Sequence, residues 1–132
     1  MSEITAKLKF IQDTLKRLTG KNVSHNEIKD NYLKLLSHLK YKKTLMIAGS
    51  QGSGKSTLSV LIKKFFLKFY SKNVVILSID DFYLSSFQRK RLARKFNTDL
   101  FETRGVPGTH NLKLLDKVIN NLIKKKFPVY TP

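Results

Sequence analysis

The sequence predicts an α/β protein in which a parallel sheet is flanked by helices and preceded by two N-terminal helices. Two observations predict it: a glycine-rich segment joins a short apolar run to a helical pattern, and a second apolar run follows that helix. Continuous apolar runs are typical of parallel strands that are covered on both faces. We assign the two-helix preface to residues 1–40 and the core to residues 41–132.

The glycine-rich segment, residues 49–56, reads Gly-Ser-Gln-Gly-Ser-Gly-Lys-Ser and matches the phosphate-loop pattern G-x-x-x-x-G-K-[ST] without a mismatch. An apolar run, residues 44–48, precedes it as a predicted strand. A chance glycine turn would explain the glycines, but it would not explain the flanking elements. The core is therefore predicted to be of the P-loop NTPase type. The apolar positions of the following helix are Leu58, Leu61, Ile62, Phe65, Phe66 and Phe69.

This loop predicts a binding site for a nucleoside triphosphate, ATP. Glycines let several backbone N–H groups point at one anion, and the helix that begins there adds the positive end of its dipole. Lys55 can reach the β- and γ-phosphates as a catalytic residue, and the Ser56 hydroxyl can hold Mg²⁺. The predicted nucleotide-binding residues are Gly49, Ser50, Gln51, Gly52, Ser53, Gly54, Lys55, Ser56 and Thr57.

Two carboxylates follow the second predicted strand, residues 74–79. They are Asp80 and Asp81. Because ligands of parallel sheets bind beyond the carboxyl ends of the strands, these side chains are predicted to face the triphosphate. Carboxylates in this position can ligate magnesium and can accept the proton of an attacking hydroxyl. Adjacent aspartates also occur in turns and helix caps, and that alternative stays open.

The remaining segments are predicted mainly from helical periodicity. The first helix carries an apolar stripe from Ile4 to Leu18 and ends at Gly20. A capping box, Ser24 with Glu27, opens the second helix. Residues 85–103 are interpreted as a helix and loop with a basic, solvated face. Asn111 is predicted to cap a last helix, and residues 127–130 to begin another strand.

Composition limits the choice of partners. The formal charge is +17, from 26 basic and 9 acidic residues, so polyanions are attracted. The basic residues are scattered along every segment, which favours a general composition bias over a dedicated nucleic-acid surface. Cysteine is absent, and no apolar run approaches the ~18 residues of a membrane helix. A cytoplasmic protein without membrane partners is predicted.

Two further motifs carry a resemblance: Ile-Asp-Asp-Phe-Tyr-Leu at 79–84 and Arg-Gly-Val-Pro-Gly-Thr-His at 104–110. With the phosphate loop, they make residues 44–130 resemble the D-glycerate 3-kinase family. Uridine kinase, phosphoribulokinase and bacterial pantothenate kinase are related P-loop kinases of small metabolites. The resemblance implies transfer of a phosphoryl group from ATP to D-glycerate, a small-molecule substrate, with Mg²⁺ as cofactor.

By the same resemblance, Asp80 is the base toward the substrate hydroxyl and a neighbour of the magnesium. Tyr83, Arg104 and His110 would line the acceptor pocket, and Asp81 is grouped with them. Family members usually carry aspartate where this chain has Asn111, and they continue with further strands and a lid. The fold is therefore predicted to be incomplete, an N-terminal portion that a complementing chain could complete. A nucleotide-binding remnant without catalysis is the alternative.

Overall fold

A computed structural model of the chain describes residues 2–124. The chain divides into two compact units, Met1–Ile76 and Leu77–Pro132, hereafter unit 1 and unit 2. This division reflects packing, and the boundary between residues 40 and 41 stays a prediction. The helices are α1 (Glu3–Thr19), α2 (His25–Glu27), α3 (Lys34–His38), α4 (Lys55–Tyr70), α5 (Ser86–Phe96) and α6 (Leu112–Ile123); a π-helical segment covers Ile28–Leu33, and 3₁₀ turns cover Leu39–Tyr41, Ile79–Phe82 and Asp99–Glu102.

Local signals set the ends of the N-terminal helices. The Ser2 hydroxyl accepts a hydrogen bond from the Thr5 N–H at 3.2 Å at the start of α1. Gly20 ends α1 in the left-handed conformation, with φ 71°. Ser24 accepts from the Glu27 N–H at 3.2 Å and opens α2. The two predicted N-terminal helices are confirmed, and the second runs as a continuous helical stretch with a wider, π-helical middle.

The core of unit 1 is formed by side chains of α1, the α2–α3 stretch and α4. Phe65 is fully buried at its centre and lies within 6.5 Å, between ring centroids, of four other aromatic rings. The apolar positions predicted for α4 all belong to this core or pack against it. Its buried members are Ile11, Leu15, Ile28, Leu36, Leu39, Leu61, Ile62, Phe65 and Phe66.

The predicted parallel sheet is not formed among residues 2–124. Residues 44–48 and 74–78 have no assigned secondary structure, and Ile79 already belongs to a 3₁₀ turn. Large apolar side chains there are exposed, Met46 by 92% and Val75 by 53%. The prediction of these two strands is therefore wrong for the described residues. An apolar run encodes strand propensity only, whereas a strand also requires a neighbour that accepts and donates its backbone hydrogen bonds.

Unit 2 consists of short elements with well-formed caps. At the start of α5, Ser85 and Gln88 form a reciprocal capping box, with bonds of 3.2 and 3.0 Å. At the start of α6, the Asn111 side-chain oxygen accepts from the Leu114 N–H at 3.0 Å, which confirms the predicted cap. Residues 127–130, predicted to begin a strand, lie outside the described residues. Within 2–124, no helix combines the length and apolarity needed to cross a membrane.

Candidate functional site

The phosphate loop leads directly into α4. Gly54 precedes the first residue of that helix and has φ 86°, a left-handed conformation that glycine adopts without strain. The Lys55 ammonium donates hydrogen bonds to the carbonyl oxygens of Gly49 and Ser50, each at 2.7 Å. An ammonium has three donors, so one N–H of Lys55 remains for a ligand. The lysine thus closes the loop on itself and holds its charge next to the Gly49 and Ser50 carbonyls.

An open depression of about 270 Å³ lies over this loop. It is bordered by the unpaired backbone N–H groups of the first turn of α4, where the helix dipole is positive. Such a helix start binds phosphate groups. The positive end of the helix dipole therefore suits this depression to the phosphates of a nucleotide. Its lining residues are Gly52, Ser53, Gly54, Lys55, Ser56 and Thr57.

A magnesium ion fits this site only together with the nucleotide. No group of three or more acidic, histidine or cysteine side chains that could enclose a metal occurs in the described part of the chain. Mg²⁺ commonly takes few protein ligands and completes its shell with water and substrate phosphates. The Ser56 hydroxyl, at the rim of the depression, is a suitable protein ligand for an ion bound in this way.

The adjacent residues Asp80 and Asp81 make different hydrogen bonds in the structure. The Asp81 carboxylate accepts a hydrogen bond from the Ser78 N–H at 3.3 Å, and the Ser78 hydroxyl accepts from the Asp80 N–H at 3.3 Å. Asp81 thus caps the 3₁₀ turn. The Asp80 side chain is exposed and has neither an ion pair nor a hydrogen bond within residues 2–124. The turn-and-cap alternative therefore holds for Asp81, and the role of Asp80 stays a prediction.

Unit 2 brings together Tyr83 and His110, which are 27 positions apart. An isolated antiparallel bridge joins them. Its flanking hydrogen bonds run from the Leu84 N–H to the Thr109 carbonyl at 2.8 Å and from the Asn111 N–H to the Phe82 carbonyl at 2.7 Å. Bonds on either side of the bridged pair make it the non-hydrogen-bonded type, in which side chains approach most closely. The two rings stack accordingly, with centroids 4.0 Å apart and planes at 29°.

Arg104 joins this pair from the loop that precedes His110. Its guanidinium carbon lies 5.6 Å from the centroid of the Tyr83 ring, within the range of a cation–π contact. Gly105 has φ 95°, so a residue with a side chain would be strained at this turn. The His110 Nε2 atom is buried without a hydrogen-bond partner in the described residues. Three of the five predicted substrate residues therefore form one cluster, hereafter the Tyr83–Arg104–His110 cluster.

Arg89 supports this cluster and was missed by the sequence analysis, which placed it on a solvated helix face. Its guanidinium donates to the Leu84 carbonyl at 2.6 Å and to the Glu102 carbonyl at 3.2 Å. Leu84 directly follows Tyr83 in the chain, and Glu102 lies two positions before Arg104. A basic residue in a basic helix gives no sequence signal that it differs from its neighbours. Lys55 belongs to unit 1 and Asp80 to unit 2, so their joint action stays a prediction.

Comparison with known proteins places the chain in a family. The family described as Zeta toxin matches residues 26–103, more than half of the chain. The chain belongs to the Zeta toxin family. The matched part of the chain includes the phosphate loop, Asp80 and Tyr83. The match supports the predicted α/β P-loop class. The sheet of that class is not formed in the part of the chain that the structure describes. No solved structure matches this family member.

Curated relatives of this Zeta toxin family chain carry kinase names. It is 41% identical over 81 residues to "Probable ATP-dependent kinase TDA10" of Saccharomyces cerevisiae, covering 59% of this chain and 28% of the relative. It is 36% identical over 88 residues to "D-glycerate 3-kinase, chloroplastic" of Arabidopsis thaliana, covering 61% and 19%. The chain therefore spans less than a third of the length of these relatives. The resemblance to D-glycerate 3-kinase is matched by one relative of low identity.

Proposed function

We propose that this chain acts in ATP-dependent phosphoryl transfer to a small hydroxy acid, with D-glycerate as the acceptor. The observation that carries the proposal is the phosphate loop closed by Lys55 at the start of α4. The kinase names of the relatives support the reaction type. The name of the Arabidopsis relative and the chemistry of the Tyr83–Arg104–His110 cluster support the acceptor.

The proposed reaction gives roles to the phosphate loop, Ser56 and Asp80. The backbone N–H groups of residues 49–57 and the free N–H of Lys55 hold the β- and γ-phosphates. Ser56 and Asp80 are the residues that would hold magnesium, and the ion would neutralise charge on the phosphates. Asp80 accepts the proton of the acceptor hydroxyl while the oxygen of that hydroxyl bonds to the γ-phosphorus. The bond from the γ-phosphorus to the bridging oxygen breaks, and ADP leaves with that oxygen.

The same proposal includes partners and location. The acceptor is a small molecule, and a complementing chain would supply the strands that pair with residues 44–48 and 74–78. Because these apolar segments are exposed in the structure, a partner strand would bury them and satisfy their backbone groups. A cytoplasmic location stays a prediction, since the Arabidopsis relative is named chloroplastic.

Phosphorus NMR of the full chain with ATP and D-glycerate tests the reaction. We expect ADP and a phosphoglycerate, and loss of on the order of a hundredfold or more in rate for Asp80→Asn with ATP affinity retained. Lys55→Met should weaken ATP binding about tenfold or more, because a charged hydrogen bond to phosphate is lost. Lys63→Met is the matched control, since Lys63 is an exposed lysine farther along α4.

The outcomes separate the alternatives. ATP binding that depends on Lys55, with no transfer to any hydroxy acid, would identify a nucleotide-binding remnant. Binding to RNA or DNA that falls steeply with salt, in the absence of transfer, would favour a nucleic-acid module. Transfer that continues unchanged in Asp80→Asn would remove Asp80 from the mechanism.

A further inference from the structure

Arg104 is the exposed charge in the Tyr83–Arg104–His110 cluster. Among residues 2–124, ion pairs join Lys7 to Glu3 and Lys34 to Asp30, and Arg104 takes part in neither. Its guanidinium is held over the Tyr83 ring rather than by an acidic neighbour. A cation held over an aromatic face keeps its N–H donors available. Within residues 2–124, the guanidinium of Arg104 therefore offers its planar fork of donors to a ligand without an acidic partner.

Arg89 shows what an occupied guanidinium looks like in the same unit. Both of its hydrogen bonds go to backbone carbonyls, at 2.6 and 3.2 Å, and they tie α5 to the two segments that carry the cluster. Arg89 is thus a positioning residue. Arg89 uses its donors in hydrogen bonds within the fold, whereas Arg104 contacts an aromatic face.

The platform beneath Arg104 is fixed by several independent contacts. The Tyr83 ring is stacked on His110 at 4.0 Å, and the backbone around both residues is paired. Thr109, next to His110, is fully buried, and its hydroxyl donates to the Val106 carbonyl at 2.6 Å. A guanidinium placed by such a platform loses little conformational freedom when it binds, which increases the affinity for its ligand.

We propose that Arg104 binds the carboxylate of the acceptor, with two parallel N–H···O bonds, and so selects hydroxy acids over neutral polyols. This inference rests on the proposed function, because it assumes that unit 2 carries the acceptor site. Arginine is the side chain whose geometry matches a carboxylate in a bidentate pair. The charge supplied by Arg104 is the difference between a site for glycerate and a site for glycerol.

Direct binding tests the inference without turnover. The full chain is titrated with D-glycerate and with glycerol in the presence of an ATP analogue that is not hydrolysed, and binding is followed by calorimetry or NMR. We expect Arg104→Met to weaken glycerate binding about tenfold or more and to leave glycerol binding within about twofold. Arg104→Lys, which keeps the charge but loses the planar fork, should recover part of the affinity.

Arg94→Met is the matched control, because it removes the same charge from an exposed position on α5. Equal losses in Arg94→Met and Arg104→Met would overturn the assignment, since general attraction of anions would then explain the binding. A wild-type chain that binds the ATP analogue and shows no preference for glycerate over glycerol would also overturn it. Preference that depends on Arg104 in a chain without transfer would support the carboxylate site and count against the kinase.

Discussion

Unit 1 and unit 2 support their functional residues in different ways. In unit 1, the phosphate loop continues into a helix whose inner face packs into an apolar core around Phe65. In unit 2, few side chains are buried, and the cluster is held by backbone pairing, a ring stack and the Arg89 hydrogen bonds. A phosphate site made of backbone N–H groups needs a helix held in place, whereas the Tyr83–Arg104–His110 cluster depends on the relative positions of its side chains.

Removing the centre of the unit 1 core should have the largest effect. Phe65→Ala deletes a fully buried ring, and we expect a loss of about 3–5 kcal/mol in the free energy of unfolding. Urea denaturation followed by circular dichroism measures it. The matched control is Phe87→Ala in unit 2, whose side chain is 77% exposed and should change stability by less than about 0.5 kcal/mol. Similar losses in both variants would contradict the proposed difference between the units.

The cap of α6 should have an intermediate effect that is specific to unit 2. Asn111→Ala removes the acceptor of the Leu114 N–H, and we expect a loss of about 1 kcal/mol in helix stability. Asn111→Asp, which restores the residue of the resembled kinase family, should keep the cap, because aspartate also caps well and suits the helix dipole. Amide hydrogen exchange over residues 112–116 distinguishes the variants. Unchanged protection in Asn111→Ala would show that the cap contributes nothing.

The surface ion pair of α1 should have the smallest effect. Lys7 lies 2.6 Å from Glu3, and its hydrogen bond and charge hold the pKa of the Glu3 carboxyl below its usual value. A lowered carboxyl pKa in the folded chain stabilises it above the unfolded pKa, and the contribution is lost as the pH falls through the folded pKa. Glu3→Gln should therefore destabilise α1 slightly at neutral pH and not at acid pH.

An NMR titration of the Glu3 carboxyl carbon measures this pKa directly, and added salt should move it back toward the ordinary value. The control is Lys7→Gln, which should raise the pKa of Glu3 by removing its partner. A pKa of Glu3 that does not respond to Lys7→Gln would rule out the pair as its cause.

Several elements could be predicted from the sequence because their signals are local. Gly20 ends α1, Asn111 caps α6, and the apolar spacing of α4 identifies Phe65 as a core residue. The two apolar runs were predicted as strands for an equally local reason. That prediction failed among the described residues because strand pairing depends on a neighbour, which the run itself does not specify.

Resemblance predicted that Tyr83, Arg104 and His110 share one site, but the sequence did not predict the contacts that form their cluster. The sequence does not show that Arg89 holds two backbone segments, whereas Ser78 and Asp81 already have the spacing of a local cap. The Arg89 contact with Glu102 depends on where the chain returns after α5. Adjacent or similar residues receive different roles only when the path of the backbone assigns them different neighbours.

The sequence by itself determined the anion-binding start of α4, because eight consecutive residues and the helix after them contain all the required glycines, N–H groups and charge. The tertiary structure alone decided that Tyr83, Arg104 and His110 meet. Their contact depends on one non-hydrogen-bonded antiparallel pair between segments 27 positions apart, and such a pairing is set by the folded backbone rather than by local preference.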